Sequence, residues 1–270
     1  MSLFETSVWI ARRIPTPVKS AIHRVRFLNR TVMGAYGATV RGHVPTIDAG
    51  PMRGIKLAAS KHTSHAHIGG TYERDVVEAI DGMLRDGDVC YDLGASIGYM
   101  TLLMARRAMH VYAFEPAPHA AAEIGRHLAV NKVRNVTIVP SPLSDKVREV
   151  RFCVTDVAYG SAINESETRW PVLRLQAATV DVFARANRPP DFLKIDVEGE
   201  EGRVLEGATE VLTRSKPRIC CELHDREVAA SVLGTLGRFG YSVTLLDGSP
   251  ANIPDTVVPG RFHILARPAA

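Results

Sequence analysis

Aromatic residues, cysteines and excess charge are all scarce in this 270-residue chain. Aromatic residues make up 6% of it, four residues are cysteine, and the formal net charge is +4. Few aromatic rings leave few surfaces for stacking bases, and the charge is far below the basic density of nucleic-acid-binding domains. We therefore expect no nucleic-acid partner. The cysteines lack metal-ligand spacing, and Cys90, Cys220 and Cys221 lie in apolar runs, which indicates buried, reduced thiols and a cytoplasmic location.

Long hydrophobic runs are also missing. No stretch approaches the roughly 18 apolar residues needed to span a bilayer, and Arg12, Arg13, Pro15 and Pro17 interrupt any signal-peptide core. The sequence therefore predicts a soluble protein. A basic amphipathic segment at residues 7–30 is expected to pack as a helix over the domain or against a second copy in a homodimer. The alternative is peripheral contact with a membrane or with a lipid-linked substrate.

Residues 1–70 form a predicted N-terminal extension, in which the basic helix is followed by short strands and loops in the Gly-, His- and Pro-rich region 34–70. His62, His65 and His67 are close enough in sequence to suggest a metal site. No carboxylate or cysteine accompanies them at a recognisable spacing, so histidines at the surface or at a pocket rim are the favoured interpretation. Residues 71–270 form the second predicted domain.

Residues 89–98 are the stretch around which the rest of the chain is organised. An apolar run contains Asp92 near its end, Gly94 and Gly98 follow, and a helical pattern begins at Tyr99. This order predicts a buried strand, a tight turn and a helix. Glycines let the backbone pass close to a ligand, and the start of the helix offers unpaired N–H groups. Open α/β sheets bind their cofactors at such a turn.

A second apolar run, at residues 110–114, is followed by Glu115. This is about 20 residues after the first glycine, where nucleotide-binding sheets place the carboxylate that takes the ribose hydroxyls. Dinucleotide folds use G-x-G-x-x-G to hold a pyrophosphate. Here Ser96 replaces the second glycine, the third is out of register, and the Asp92 carboxylate would repel phosphate. The pattern favours S-adenosylmethionine, which has no phosphate and carries an ammonium and a sulfonium.

Strand and helix patterns alternate through the rest of the chain and predict a Rossmann-like α/β fold. The sheet is expected to be mixed and seven-stranded, with six parallel strands, one antiparallel strand and helices on both faces. Residues 204–212 are expected to form one amphipathic helix. Short extra strands at 151–154 and 172–175 flank a polar loop containing residues 160–163. We expect this insertion to shape the pocket of the acceptor substrate.

Charged side chains follow the two strands next to the predicted cofactor strands. Asp196 and Glu198 follow one strand, and Glu222 and His224 end the next. Buried charges are unfavourable unless they are paired, so this cluster predicts an active site. His224 is the predicted base because its unperturbed pKa near 6.5 suits neutral pH. Asp196 would orient the acceptor or the methyl group, and Glu222 would orient the imidazole or bind a second hydroxyl.

Two other interpretations of this cluster are open. One is a solvated rim or a set of ion pairs with Lys194 and nearby arginines. The other is a Mg²⁺ site formed by Asp196, Glu198 and Glu222, since Mg²⁺ prefers carboxylate oxygens and would acidify a coordinated hydroxyl. The site without metal is the favoured one.

Six motifs, in the order in which they occur, resemble those of class I methyltransferases and, within that group, of the FkbM family. They are Asp-Leu-Gly-Ala-Ser-Ile-Gly-Tyr at 92–99, Ala-Phe-Glu-Pro at 113–116, Asn-Val-Thr-Ile-Val-Pro at 135–140, Leu-Ser-Asp at 143–145, Leu-Lys-Ile-Asp-Val-Glu-Gly at 193–199 and Glu-Leu-His at 222–224. The resemblance runs from Tyr72 to the C-terminus. Ser96 stands where many members have Asn, and Cys220-Cys221 replaces a plainer aliphatic strand.

The resemblance implies a complete set of cofactor contacts. Asp145 would accept a hydrogen bond from the adenine amino group, and Glu73, from a Tyr-Glu pair, would lie near the methionine end. The expected cofactor-binding residues are Glu73, Asp92, Gly94, Ala95, Ser96, Gly98, Tyr99, Glu115, Pro116, Ser144 and Asp145.

FkbM-like enzymes are associated with O-methylation of polyketides, sugars and glycolipids. The resemblance therefore implies an O-methyltransferase that acts on a small-molecule or glycan acceptor, namely a saccharide, a glycolipid or a secondary metabolite. The alternatives are an N- or C-methyltransferase, including one that acts on RNA, and a non-catalytic cofactor-binding subunit. No Asn-Pro-Pro-Tyr-like stretch follows the fourth core strand, which argues against amino methylation of bases.

Overall fold

The structure is a computed structural model that describes residues 42–155, 161–164, 168–251 and 261–269. The predicted basic helix at 7–30 and Gly160 of the polar loop lie outside these ranges. None of the helices in the described ranges is long and apolar enough to cross a bilayer. The chain divides into two compact units, Met1–Arg74 with Ala129–Lys132, and Asp75–Leu128 with Val133–Ala270.

The described part of the first unit contains a short antiparallel bridge and one helix, α1 (His65–Gly69). The sequence predicted short strands and loops here and missed this helix. Its N-cap is an unusual capping box in which Ser64 and His67 exchange hydrogen bonds between side chain and backbone. His67 is buried and stacks on Tyr72. The three histidines of this region do not form a metal-ligand cluster in the part of the chain that the structure describes.

The second unit is built around a seven-stranded sheet. Its strands are β1 (Val89–Leu93), β2 (His110–Phe114), β3 (Val136–Val139), β7 (Phe192–Ile195), β8 (Arg218–Leu223), β9 (Tyr241–Leu245) and β10 (Phe262–Pro268). Their spatial order is β3-β2-β1-β7-β8-β10-β9. The pairs from β3 to β8 are parallel, and β10 is antiparallel to both of its neighbours. Six strands therefore run one way and one runs against them, which confirms the predicted fold class.

Helices alternate with these strands. They are α2 (Arg74–Met83), α3 (Tyr99–Ala105), α4 (Pro118–Asn131), α5 (Val180–Ala186), α6 (Glu201–Glu206), α7 (Thr209–Arg214) and α8 (Arg226–Arg238). Every residue of β1 and β7 is buried. Burial at consecutive positions, whose side chains point to opposite faces, means that both faces of the central sheet are covered.

The predicted single helix at 204–212 is wrong, because two helices, α6 and α7, occupy this region. The chain turns at Gly207, where an added Cβ would lie 2.3 Å from the Ser144 carbonyl oxygen, so the backbone passes too close for a side chain. The buried Asp181 then accepts hydrogen bonds from the N–H groups of Glu210 and Val211. An acid from α5 thus caps the new helix, a contact that the local hydrophobic pattern does not reveal.

The insertion after β3 forms a separate antiparallel sheet of β4 (Arg148–Cys153), β5 (Ala162–Ile163) and β6 (Val172–Ala177). β4 begins three residues before the predicted range 151–154 and ends one residue before its end. β6 extends two residues beyond the predicted range 172–175. The sheet packs through Phe152 on Ala117 and Ala120, at the start of α4. Because α4 follows the strand that ends before Glu115, this contact places the insertion beside the predicted cofactor site.

Candidate active site

The turn after β1 brings the ends of β1 and β7 together. Gly94 has a φ of 79°, and an added Cβ would lie only 1.8 Å from the Asp196 carbonyl oxygen. The N–H groups of Gly94 and Ala95 both donate to the carbonyl oxygen of Phe114, at 3.1 and 2.9 Å. Glycine is therefore required at this position both by the backbone conformation and by the close approach.

Glu115 follows β2 and faces the same turn. Its carboxylate accepts hydrogen bonds from the N–H groups of Ser96 and Ala117, both at 2.8 Å. The side chain is buried, and burial raises the pKa of Glu115 to about 7 although both backbone hydrogen bonds favour the charged form. Its charge therefore changes within the neutral pH range.

An open cavity lies over these strand ends. Its walls include Gly94, Ser96, Phe114 to Ala117, His119, Ala120, Ser141 to Leu143, Phe152, Ser161, Ile163, Asp196 to Glu198 and Glu200. Four of these side chains are carboxylates, and none of the described lining residues is Lys or Arg. Such walls repel phosphate and suit a cation, so the cavity fits S-adenosylmethionine and not a dinucleotide.

The insertion contributes Phe152, Ser161 and Ile163 to the walls of the cavity. Phe152 and Ile163 pack with Ala117 and Ala120, which follow Glu115 in the chain and also line the cavity. The insertion therefore adds an apolar wall to the cavity. That it shapes the pocket of the acceptor stays a prediction.

Four of the predicted cofactor-binding residues line the cavity, namely Gly94, Ser96, Glu115 and Pro116. Asp92 does not. Its buried carboxylate accepts a hydrogen bond from the Thr101 hydroxyl at 2.5 Å and lies 3.7 Å from the Lys194 ammonium. Burial raises the pKa of Asp92, and Lys194 and Thr101 oppose that shift. The Asp92 carboxylate, which was expected to repel phosphate at the cofactor site, therefore faces the protein interior.

The other predicted cofactor-binding residues support the turn from behind or lie farther along the chain. Ala95 and Tyr99 are buried, and Gly98, with a φ of 84°, is the N-cap of α3. Ser144 donates to the carboxylates of Asp145 and Glu200, at 3.0 and 3.2 Å. Glu73 belongs to the first unit, so its contact with a cofactor stays a prediction.

Lys194, on β7, contacts both the turn after β1 and the carboxylate of Asp196. Its ammonium donates to the Gly94 carbonyl oxygen at 2.9 Å and to the Asp196 carboxylate at 3.2 Å. Burial opposes ionisation of Asp196, but Lys194 and the other groups around it hold its pKa below the ordinary value. The ion pairing with Lys194 that the sequence left open is present, and it lies inside the site.

The cluster predicted from the ends of β7 and β8 is assembled around His224. Its Nε2 atom lies 3.3 Å from Glu198, 3.7 Å from Asp196 and 3.9 Å from Glu222, and its Nδ1 atom lies 3.1 Å from Glu201. These are ion-pair distances, and neither ring nitrogen has an aligned hydrogen bond among the described residues. Asp196 and Glu198 line the cavity, whereas His224 lies behind them.

The surroundings of His224 change its chemistry. Burial alone would lower the pKa of the imidazole, but the carboxylates of Glu198 and Glu201 outweigh this and raise it to about 10. The ring is therefore a cation at neutral pH. The prediction of His224 as the base used the unperturbed pKa near 6.5, and the surrounding carboxylates raise the pKa well above that value.

Glu201 is a site residue that the sequence did not predict, and so is Glu200, which lines the cavity. The Glu201 side chain is fully buried at the start of α6. An acid in the first turn of a helix is common, and nothing in the local pattern sets this one apart. Its carboxylate also makes a group with Asp196 and His224 whose ligand atoms all lie within 4.8 Å of one another. That group differs from the predicted Mg²⁺ set, in which Glu198 and Glu222 took the places of Glu201 and His224.

Comparisons with known proteins give one family. A family model described as the methyltransferase FkbM domain matches residues 92–243. The hexuronic acid methyltransferase AglP of Haloferax volcanii is 27% identical over 155 residues, which are 56% of this chain and 62% of AglP. The chain therefore spans less than two thirds of that relative.

Solved structures resemble the chain more distantly. A methyltransferase FkbM from Methylobacillus flagellatus has a TM-score of 0.46 and 17% identity over 68% of this chain and 45% of its own. An rRNA methylase from Streptococcus thermophilus has a TM-score of 0.47 and 13% identity over 73% of this chain and 96% of its own. The strand order, and not these likenesses, defines the fold.

Proposed function

We propose that this chain, which belongs to the FkbM methyltransferase family, uses S-adenosylmethionine to methylate a hydroxyl group of a saccharide, a glycolipid or a secondary metabolite. One observation carries the proposal. A single cavity is lined both by Glu115, at the nucleoside end, and by Asp196 and Glu198, at the acceptor end. The relative AglP methylates a hexuronic acid, which supports a sugar as the acceptor.

The chain's own residues supply a site for each part of the cofactor. Glu115 is the acceptor for the ribose hydroxyls, and the backbone of Gly94 and Ser96 passes beneath them. We assign the adenine end to the region of Ser144 and Asp145. The methionine end, with its positive charge, lies toward the carboxylates of Asp196 and Glu198.

The acceptor end consists of carboxylates that accept hydrogen bonds from hydroxyl groups. When bound, S-adenosylmethionine supplies a methyl carbon already activated by the sulfonium. The protein therefore has to align the hydroxyl oxygen with that carbon and remove a proton. An oxygen that is gaining a methyl group becomes strongly acidic, so even a carboxylate of lowered pKa accepts its proton.

The roles of Asp196 and His224 are exchanged relative to the sequence prediction. Asp196 lines the cavity and is ionised, so it receives the hydroxyl proton. His224 is already protonated, and its imidazolium holds the surrounding carboxylates in position. Glu222 lies next to the ring, where it either binds a second hydroxyl or shares the charge.

The assignment is tested with Asp196→Asn and His224→Gln, assayed for methyl transfer to saccharides with and without a chelator. We expect both variants to lose turnover and to keep binding S-adenosylhomocysteine. Full turnover of Asp196→Asn would refute the role of Asp196. Loss of activity on addition of the chelator would favour a divalent cation bound at this cluster over proton transfer to Asp196 without a metal. A methylated nitrogen or carbon in the product would refute O-methylation, and tight cofactor binding without any transfer would favour a non-catalytic subunit.

A further inference from the structure

A buried acid, Glu201, lies next to the active-site cluster without lining the cavity. Glu201 is 0% exposed and is the first residue of α6. Removing a carboxylate from water is unfavourable unless the charge is fully compensated. Glu201 is compensated by backbone N–H groups and by the His224 ring, whose Nδ1 lies 3.1 Å from Oε1, the oxygen that also accepts from Val197 N and Gly199 N. The acid thus joins two parts of the site.

The first part is the loop between β7 and α6. One carboxylate oxygen of Glu201 accepts hydrogen bonds from Val197 N at 2.9 Å and Gly199 N at 3.1 Å, and the other accepts from Gly199 N at 3.1 Å. Glu198 has a φ of 55° and Gly199 a φ of 105°. A non-glycine residue in this region is strained and needs support from its surroundings. The bonds to Glu201 supply that support, and they fix the loop on which Asp196 and Glu198 reach the cavity.

The second part is the imidazole. Because Nδ1 lies 3.1 Å from Glu201, the opposite nitrogen, Nε2, faces Glu198 and Asp196. The group paired with one ring nitrogen sets what the other presents, as in metal sites and catalytic triads. Glu222, which was predicted either to orient the imidazole or to bind a second hydroxyl, lies 3.9 Å away and on the Nε2 side.

Charged groups reach the cluster from every neighbouring element. Asp196 and Glu198 come from the loop after β7, Glu201 from α6, Glu222 from β8, and Lys194 from β7. Arg261 precedes β10 and donates to Glu198 at 2.7 Å. His263, on β10, is neutral because burial lowers its pKa to about 4. Of these groups, Glu201 is the one that contacts both the loop backbone and Nδ1.

We propose that Glu201 is a positioning residue for methyl transfer, which holds the Asp196–Glu198 loop and turns the His224 ring so that its Nε2–H faces the carboxylates of that loop. This inference rests on the proposed function. It does not require Glu201 to touch the acceptor or the cofactor, since Glu201 does not line the cavity.

Glu201→Gln separates a structural role from a positioning role. A glutamine carbonyl oxygen in the place of Oε1 can still accept from Val197 N and Gly199 N and stays beside Nδ1, but the neutral side chain lacks the negative charge that attracts the imidazolium. Glu206→Gln is the matched control, because Glu206 is exposed on the same helix and loses the same charge. All samples contain a chelator, so that no metal ion binds to the imidazole nitrogens of His224.

Three quantities are measured, namely kcat, the Kd of S-adenosylhomocysteine, and the ring ¹⁵N shifts of His224. We expect Glu201→Gln to lower kcat by about a hundredfold, the lower end of general acid–base contributions. The Kd should not change, and the Nδ1 resonance should move away from its protonated position. Glu206→Gln should alter none of the three. An unchanged kcat, or equal losses of kcat and of cofactor affinity, would overturn the proposal.

The wild-type spectrum provides a test that does not depend on a variant that folds. In the complex with S-adenosylhomocysteine, Nδ1 of His224 should carry a proton, because it lies 3.1 Å from the Glu201 carboxylate. A neutral ring with unprotonated Nδ1 would overturn the inference about Glu201. Failure of the proposed function has a different signature, since no hydroxyl acceptor would then be methylated while the ring signals stay as expected.

Discussion

Binding of S-adenosylhomocysteine should weaken below neutral pH because of one carboxyl group. The pKa of Glu115 is raised to about 7 by burial in the unliganded protein. Ribose hydroxyls donate hydrogen bonds, and the ionised carboxylate is the better acceptor. Lowering the pH through 7 therefore protonates the group that the ligand needs. The affinity should fall as the pH falls, and it should level off above pH 8.

The magnitude follows from the fraction of Glu115 that is ionised. With a pKa of about 7, about nine tenths of the group is ionised one unit above the pKa and about one tenth is ionised one unit below it. If only the ionised form binds, Kd rises about tenfold between pH 8 and pH 6, which corresponds to about 1.4 kcal/mol. Residual binding by the protonated form would make the change smaller.

Isothermal titration calorimetry from pH 6 to pH 8.5 measures this slope. Glu115→Gln has a similar size but does not titrate, so it should bind more weakly at pH 8 and show a flat profile over the same range. Profiles that are parallel for wild type and Glu115→Gln would refute the reasoning, because the pH dependence would then arise from another group.

Three further predictions concern stability and the cavity walls. Gly94→Ala should destabilise the protein far more than Gly87→Ala, as measured by urea unfolding. Both glycines have a positive φ. An added Cβ at Gly94 would lie 1.8 Å from a backbone carbonyl oxygen, whereas one at Gly87 would meet nothing within 4 Å. The control should lose about 1 kcal/mol, the ordinary penalty of a left-handed residue; equal losses would contradict the close approach. Arg218→Met should cost about 3 kcal/mol or more, because it leaves Asp88 buried without the partner that now lies 2.7 Å away. Combining it with Asp88→Leu should restore stability, and additive losses would be the contrary result. Phe152→Ala should cost about 3 kcal/mol through the loss of packing and should raise the Kd of S-adenosylhomocysteine in calorimetry, since Phe152 lines the cavity; an unchanged Kd would remove the insertion from the cofactor site.

The sequence predicted the structure correctly where the pattern that determines it lies within a short stretch of the chain. An apolar run, two glycines and a helical pattern lie within residues 89–105, and Glu115 follows the next apolar run. Such short patterns reflect backbone conformation and strand burial, which neighbouring residues largely determine. Alternating strands and helices also restrict the sheet to a few strand orders, since parallel connections are right-handed. The seven-stranded sheet followed from these rules.

Contacts between distant segments were the part that local patterns could not supply. The break at Gly207 depends on the Ser144 carbonyl and on the carboxylate of Asp181, which belong to other elements. The direction of Asp92 depends on Thr101 and Lys194. These partners lie 9 or more residues away, and their approach is a consequence of packing.

The chemistry of His224 illustrates the same limit. The sequence placed Asp196, Glu198 and Glu222 near the ring, and the structure brings them within 4 Å. The sequence did not predict that Glu201 approaches Nδ1 of His224 from α6. The number and distance of the carboxylates, which only the fold determines, convert the ring from the expected base into a cation.

The most direct test of the central claim is to incubate the protein with methyl-labelled S-adenosylmethionine and a panel of neutral saccharides, uronic-acid saccharides and RNA, and to identify the methylated atom by NMR. The account predicts an acid-stable methyl ether on a saccharide hydroxyl and no label on RNA. It also predicts that Asp196→Asn forms no product while retaining affinity for S-adenosylhomocysteine. Label on a nitrogen or on RNA, or undiminished ether formation by Asp196→Asn, would contradict it.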